Sequence, residues 1–274
     1  MAIKINTNVA SMAAQKNLFK SQSNLASSFN RLSSGLRVNT AADDAAGLAI
    51  SESMKSQIRS YTVAERNAAD GVSMAQTAEG ALGEVHSILG RMRELAMQAA
   101  NGTLSSSDRG HVDKEFDLLQ AEITRIQGSA KFNGVSVVAT AATSITFQVG
   151  LNNASSDQIT VGFGGVSLTV LLAATTGVDT TTAALASLAR IDTAIDSVST
   201  SRATFGAAMN RLEITGSNIQ TMRLNISAAN SRIRDVDVAS ETSRLSRNQV
   251  LTQAGTSVLA QANQMPQIAL SLLG

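Results

Sequence analysis

The chain has 274 residues, and its 22 basic residues nearly balance its 21 acidic ones, so no large single-sign field draws nucleic acid to it. There is no cysteine, which excludes a disulfide framework, a thiolate metal site and a cysteine nucleophile. Hydrophobic residues make up 43% but aromatics only 3%, with no Trp and one Tyr, a composition that suits long, closely packed helices better than a thick globular core.

No apolar run reaches membrane-spanning length, and the N-terminus lacks the charged, apolar and small-residue regions of a cleavable signal. If the protein leaves the cell, it uses a route that reads no Sec-type signal. The lone proline, Pro266, and the missing cysteines suit export of an unfolded chain, although helical proteins carry few prolines anyway.

The first predicted helix carries an apolar stripe at Leu18, Leu25, Phe29, Leu32 and Leu36, in steps of three, four and seven. Asn39 to Asp44 reads as a loop offering N-caps for the next helix. That helix is predicted from about Asp44 to Asn101. Tyr61, Ala68, Ala75, Leu82, Leu89 and Ala96 stand at steps of seven. Ala64, Gly71, Ala78, Val85, Met92 and Ala99 each follow three residues later. All twelve are uncharged, which makes an a/d seam whose small residues imply close helix approach. At 1.5 Å per residue such a helix is on the order of 80 Å long, too long for an ordinary globule.

Asn101-Gly102-Thr103 ends it, and Ser105 to Asp108 caps a shorter helix with a buried face of Val112, Phe116, Leu119, Ile123 and Ile126. Asn133-Gly134 predicts a hairpin turn. Between about Thr140 and Asp179 the pattern becomes alternating and β-branched. Ile145 to Val149, Ile159 to Val161 and Val166 to Leu172 read as short strands punctuated by glycines. Helix then returns, with Ile191, Val198, Phe205, Leu212, Ile219, Ile226 and Ile233 at seven consecutive heptad positions.

The last block, from about Val238 to Gly274, ends in Ile268-Ala269-Leu270-Ser271-Leu272-Leu273, nearly all apolar. Exposed, this tail and the one-sided N-terminal stripe would be sticky. Buried against copies of themselves, they form an assembly device. The fold class is therefore mainly α: long heptad-repeat helices in a coiled-coil or helical-bundle rod, with a small β excursion in the middle.

Other patterns have plainer readings. His86 and His111 have no cysteine or His-Glu-x-x-His partner and read as surface or packing residues, so no metal or cofactor is expected. Asp43-Asp44 and Asp235-Val236-Asp237 read as caps and salt-bridge partners rather than a catalytic pair, because a rod of helices offers no cleft. Gly162 to Gly165 opens no helix, and so is a β-turn rather than a dinucleotide fingerprint. Three N-x-S/T matches read as chance. The Ser/Thr runs at Thr140 to Ser144 and Thr175 to Thr182 could take O-linked sugars or be plain solvated loops.

Long motifs at both ends resemble the bacterial flagellins. At the N-terminal end these are Ile5-Asn6-Thr7-Asn8, Ala14 to Leu18, Arg31 to Arg37 and Asp43 to Ile50. At the C-terminal end they are Phe205-Gly206-Ala207, Asn210 to Glu213, Ser231 to Asp235, Gln253-Ala254-Gly255 and Leu259 to Gln264. The resemblance covers about Met1 to Gly150 and Ala183 to Gly274. It implies a terminal coiled-coil domain from 1–43 with 235–274, a helical-bundle rod domain from 44–140 with 183–234, and a short β-rich insert at 141–182. Leu25, Phe29, Leu32, Leu259 and Leu270 would be terminal assembly positions.

The implied function is a structural, non-enzymatic subunit that polymerises into the extracellular flagellar filament for motility after flagellar type III export. The implied partners are copies of itself, an export chaperone on the C-terminal helix, the filament cap and junction proteins, and the animal innate immune receptor for flagellin. Neither nucleic acid nor membrane is among them. The run Arg91 to Ala96 resembles the segment that packs subunit on subunit and is read by that receptor, and Glu115 matches a third position. Arg91, Leu95 and Glu115 are thus expected on one exposed surface, with Leu95 outside the seam.

Two other functions compete. A hook–filament junction protein shares the terminal motifs, but matches them less completely. A membrane-active helical protein would show wide apolar faces bordered by Lys and Arg, not narrow seams.

Overall fold

The computed structural model describes residues 7–166, 168, 171 and 176–271, with side chains as far as Met265. The protein is mainly α. Helices α1 (Val9–Ser34), α2 (Ala45–Ala100) and α3 (Ser106–Ser129) precede the hairpins β1 (Lys131–Phe132) with β2 (Val135–Ser136) and β3 (Thr143–Gln148) with β4 (Gln158–Phe163). Helices α4 (Thr181–Arg234) and α5 (Val238–Ser271) complete the chain. It divides into two compact units, residues 57–224 and residues 1–56 with 225–274, and α2 and α4 contribute to both. The expected domain limits at 43/44 and 234/235 fall instead in the breaks that precede α2 and α5.

In the unit 57–224, α2 and α4 run antiparallel. Glu65 accepts from Gln220 at 2.7 Å, Glu79 from Arg202 at 2.6 Å, and Arg93 donates to Asp192 at 2.7 Å, so rising numbers on one helix meet falling numbers on the other. Between these rungs lies the seam. Every a/d residue of α2 from Ala64 to Ala99 is buried, and Tyr61 is half-buried. On α4, Ile191, Val198, Phe205, Leu212 and Ile219 are buried. Truncating Ile219 to Ala is expected to cost about 2–5 kcal/mol, the range for deleting a fully buried aliphatic side chain, and thermal melting of the purified subunit measures it.

Two expected seam residues behave differently. Ile226 and Ile233 lie in the other unit and are only half-buried. The neighbouring positions there are polar. Asn230 Nδ2 donates to the Ser51 carbonyl at 3.2 Å, and Arg234 reaches both Ser51 Oγ and Glu52.

Helix α3 begins with a capping box in which Ser105 and Asp108 satisfy each other's backbone. It lies alongside α2, where Arg109 donates to the carbonyls of Ala99 and Asn101. Asn133 and Gly134 both have positive φ and make the tight turn between β1 and β2. Strands β3 and β4 pair antiparallel from Thr143 opposite Phe163 to Gln148 opposite Gln158. Phe163 stacks on Phe205 of α4 at 5.4 Å, and Phe147 meets Phe163 edge-on at 6.4 Å. Gly71 admits this packing, because a Cβ there would sit 3.0 Å from Leu212 and 3.2 Å from Phe147.

The third expected strand, Val166 to Leu172, is not seen among its described residues. Val166, Leu168 and Leu171 are buried, but the chain turns away from β4 at Gly164 and Gly165, both at positive φ. Those glycines donate backward to the carbonyls of Val137 and Ala139, and Gln120 of α3 donates to the Leu171 carbonyl. A short apolar run says only that it is buried, and its described residues Val166, Leu168 and Leu171 are buried without a strand.

In the other unit, α1 and α5 form an antiparallel pair. Asn8 donates to the Ala262 carbonyl at 2.8 Å, and a Cβ on Gly255 would meet Leu18 at 3.1 Å. The seam on α1 runs through Leu18, Leu25, Ser28 and Leu32, of which only Ser28 is fully buried. The turn before α2 is held by Asp43, whose carboxylate accepts from the Asn39 and Thr40 backbone and pairs with Arg31. The Thr40 backbone N–H, with Arg31, lowers its pKa to about 2. Asp44 accepts from Gly47 N, and Asp237 from Ala239 N, so these acids act as caps.

Candidate assembly surfaces

The structure brings Arg91 and Glu115 together across α2 and α3. Arg91 Nε and Nη2 donate to Glu115 Oε1 at 3.0 and 2.8 Å, and Nη1 donates to Glu94 Oε2 at 2.9 Å. Those hydrogen bonds, the one accepted by Glu94 first and then those accepted by Glu115, push the already basic guanidinium further up. All three side chains are about half exposed or more, so the fork is presented to solvent. Exposed apolar groups on the same two helices include Leu118 of α3 and Met97 of α2.

Leu95 does not join them at the surface. It was expected outside the seam and exposed, but it is 2% exposed and belongs to the core. Leu95 ends a second heptad series on α2, Met74, Ala81, Ile88 and Leu95, each one residue before a seam position. Met74 is buried, and Ala81 and Ile88 pack against the same core. A two-helix seam would leave this series open. Because α3 also lies along α2, the buried face widens to include it.

The second surface belongs to α1 and α5. Leu25, Leu32 and Leu259 are half-buried in the pair's seam. Phe29 was expected on the same stripe, but it is 64% exposed, because one step past Ser28 turns it about 100° away from α5. It stands with Val9, Met12, Phe19, Val250 and Val258 as a set of large apolar side chains in water. Sequence reading missed Val9, Met12 and Phe19, although Met12 and Phe19 stand seven apart, each one step past a half-buried seam position, Ser11 and Leu18. Leu270 lies on α5, but its side chain is outside the described residues, as is most of the apolar tail.

His86 is half-buried with Nδ1 unpartnered, whereas His111 is exposed on α3. No group of three His, Cys, Asp or Glu able to hold a metal occurs among the described residues, and no described helix is long and apolar enough to cross a membrane.

Residues 5–143 match the family model for the bacterial flagellin N-terminal helical region, and residues 188–273 match that for the C-terminal helical region. The chain is 44% identical over 271 residues to a flagellin of Halalkalibacterium halodurans, covering 98% of this chain and 99% of that one. Among solved structures, Bacillus cereus flagellin superposes with a TM-score of 0.50 at 37% identity, over 60% of this chain and 94% of the other. A protein described as flagellar hook-associated, from Vibrio parahaemolyticus, superposes with a TM-score of 0.59 over 70% of this chain and 100% of its own. At 13% identity that likeness concerns the fold alone.

Proposed function

This chain belongs to the bacterial flagellin family, and we propose that it is exported through the flagellar type III apparatus and assembles outside the cell by burying the apolar flanks of α1 and α5 against neighbouring copies. It is a structural subunit of the flagellar filament that polymerises with itself. The observation that carries the assembly route is the exposure of Phe19, Phe29, Val250 and Val258 on a helix pair whose seam leucines are only half-buried. Large apolar groups exposed on both helices beside a half-buried seam are what a neighbouring copy would cover.

In this reading 1–43 with 235–274 is the terminal coiled-coil domain, 44–140 with 183–234 the bundle domain, and 141–182 the insert. A chaperone holds the apolar C-terminal helix before export, and the cap and junction proteins meet the same flanks at the filament's ends. The chain performs no catalytic step and needs no cofactor. Elongation of filament fragments by purified subunits tests the assembly route, since a protein confined to the junction would not add to them repeatedly.

The Arg91–Glu115 fork is the proposed surface for subunit packing and for the animal innate receptor, with Leu95 supporting α2 from within the core. Exposed ion pairs add little to stability, so a charge reversal there separates recognition from folding. Arg91→Glu is expected to lower filament elongation and monomer-triggered receptor signalling together, with thermal melting of the free subunit unchanged. Wild-type values in both assays would remove the fork from either role.

A further inference from the structure

The near-neutral charge of the whole chain hides an uneven division. The unit made of residues 1–56 and 225–274 carries ten basic and six acidic residues, whereas 57–224 carries twelve and fifteen. Within the basic unit a cleft of about 250 Å³ opens between α1 and α5, on the α2-proximal half of the pair in sequence. Asn24, Ser27, Ser28 and Arg31 line it from α1, and Glu241, Arg244, Arg247 and Asn248 line it from α5. Three guanidinium groups therefore share the cleft with one carboxylate.

That carboxylate does not saturate them. Arg244 Nη1 reaches Glu241 Oε2 only at 3.5 Å, and the Arg244 side chain is 60% exposed. Arg31 spends Nη2 on Asp43 at 3.2 Å, while its Nε is buried with no acceptor. Arg247 is exposed and forms no ion pair among the described residues, so its guanidinium is available at the cleft. A buried donor without an acceptor, such as Arg31 Nε, is rare in folded proteins, because a protein hydrogen bond or water normally satisfies it.

We propose that this cleft is a binding site for a tetrahedral oxyanion of the phosphate or sulfate class. The planar forks of Arg31, Arg244 and Arg247, all lining one cleft, are charge-assisted donors of the kind such an anion accepts. The amides of Asn24 and Asn248 and the hydroxyls of Ser27 and Ser28 add neutral donors around the same volume. Together they outnumber what the two oxygens of a single carboxylate accept. The volume holds one such anion with some of its waters. A bound anion would tie α1 to α5 near Glu241, where their seam carries polar Ser28 instead of an apolar residue.

The inference rests on α1 and α5 being paired in the filament, so filaments are the sample, and electron micrographs establish their assembly before any binding is read. Sheared filaments, washed free of phosphate, are dialysed to equilibrium against inorganic phosphate at constant ionic strength. Saturable uptake approaching about one phosphate per subunit is expected, with sulfate competing. Arg247→Gln removes a fork with no ion pair and should weaken the affinity about tenfold or more. Arg244→Gln should do the same, and it serves if Arg247→Gln filaments fail to form. Arg232→Gln, exposed on α4 and outside the cleft, should leave uptake unchanged. Uptake that never saturates, or that falls equally in Arg232→Gln, overturns the site. So does a wild type that takes up no phosphate while Arg247→Gln weakens the filament, since the cleft would then receive a carboxylate from another copy.

Discussion

Replacing Leu95 with Asp is expected to unfold the subunit's 57–224 unit. Leu95 is among the largest fully buried side chains of the core. Deleting a buried leucine costs about 2–5 kcal/mol, and the substitution also carries a carboxylate into an apolar interior with no partner for it. Against a total stability of roughly 5–15 kcal/mol for a domain, the sum removes most or all of the folded population. Circular dichroism during heating or urea titration reads this directly. Leu95→Met, which conserves volume, should cost less than about 1.5 kcal/mol and melt close to the wild type. An Asp variant that melts like the wild type would mean that α3 does not cover this side of α2. Because the variant removes the fold, it cannot report on recognition; the exposed Arg91 fork is where recognition is tested.

The same residue shows where sequence reading stops. The α2 seam was legible because twelve uncharged residues fall on two heptad positions, and a second helix with the complementary period, from Ile191 to Ile219, stands later in the chain. Both periods are local facts about one helix. Whether the series Met74, Ala81, Ile88 and Leu95 is buried depends on where α3 lies, and no local period encodes that. Strands β3 and β4 were legible from alternation, and the β1–β2 turn from Asn133-Gly134. The burial of Val166, Leu168 and Leu171 outside a strand was not, because a short apolar run looks alike in a sheet and in a covered loop. Phe29 was misplaced for a simpler reason. Steps of three and four both fit one broad stripe, but an antiparallel pair has room for only one residue at each level, and Ser28 holds that level. The oxyanion cleft had no sequence signal, since its arginines sit on two helices more than two hundred residues apart.

In free subunits α1 and α5 are expected to be unfolded, and to become helical only on assembly. Val38 is the one fully buried hydrophobic residue among the described residues of the unit 1–56 with 225–274. Ordering a backbone costs about 1–2 kcal/mol per residue, and half-buried seam leucines with one buried valine do not offset that over two long helices. The unit 57–224 is different, because its seams, its third helix and its stacked phenylalanines supply a core of their own. The missing burial for the ends must come from other copies, through the flanks that carry Phe19, Phe29, Val250 and Val258. Limited proteolysis of free subunits should therefore trim roughly forty residues from each end and leave the central fragment intact, while filaments resist. Hydrogen exchange should show the same contrast at amides of α1 and α5. Phe29→Asp completes the argument: it should abolish elongation of filament seeds yet leave melting of the free subunit unchanged, since its helix is not part of what melts. Equal protection of both ends in subunit and filament would show that the pair folds alone, and the exposed flanks would then be surface without a role in assembly.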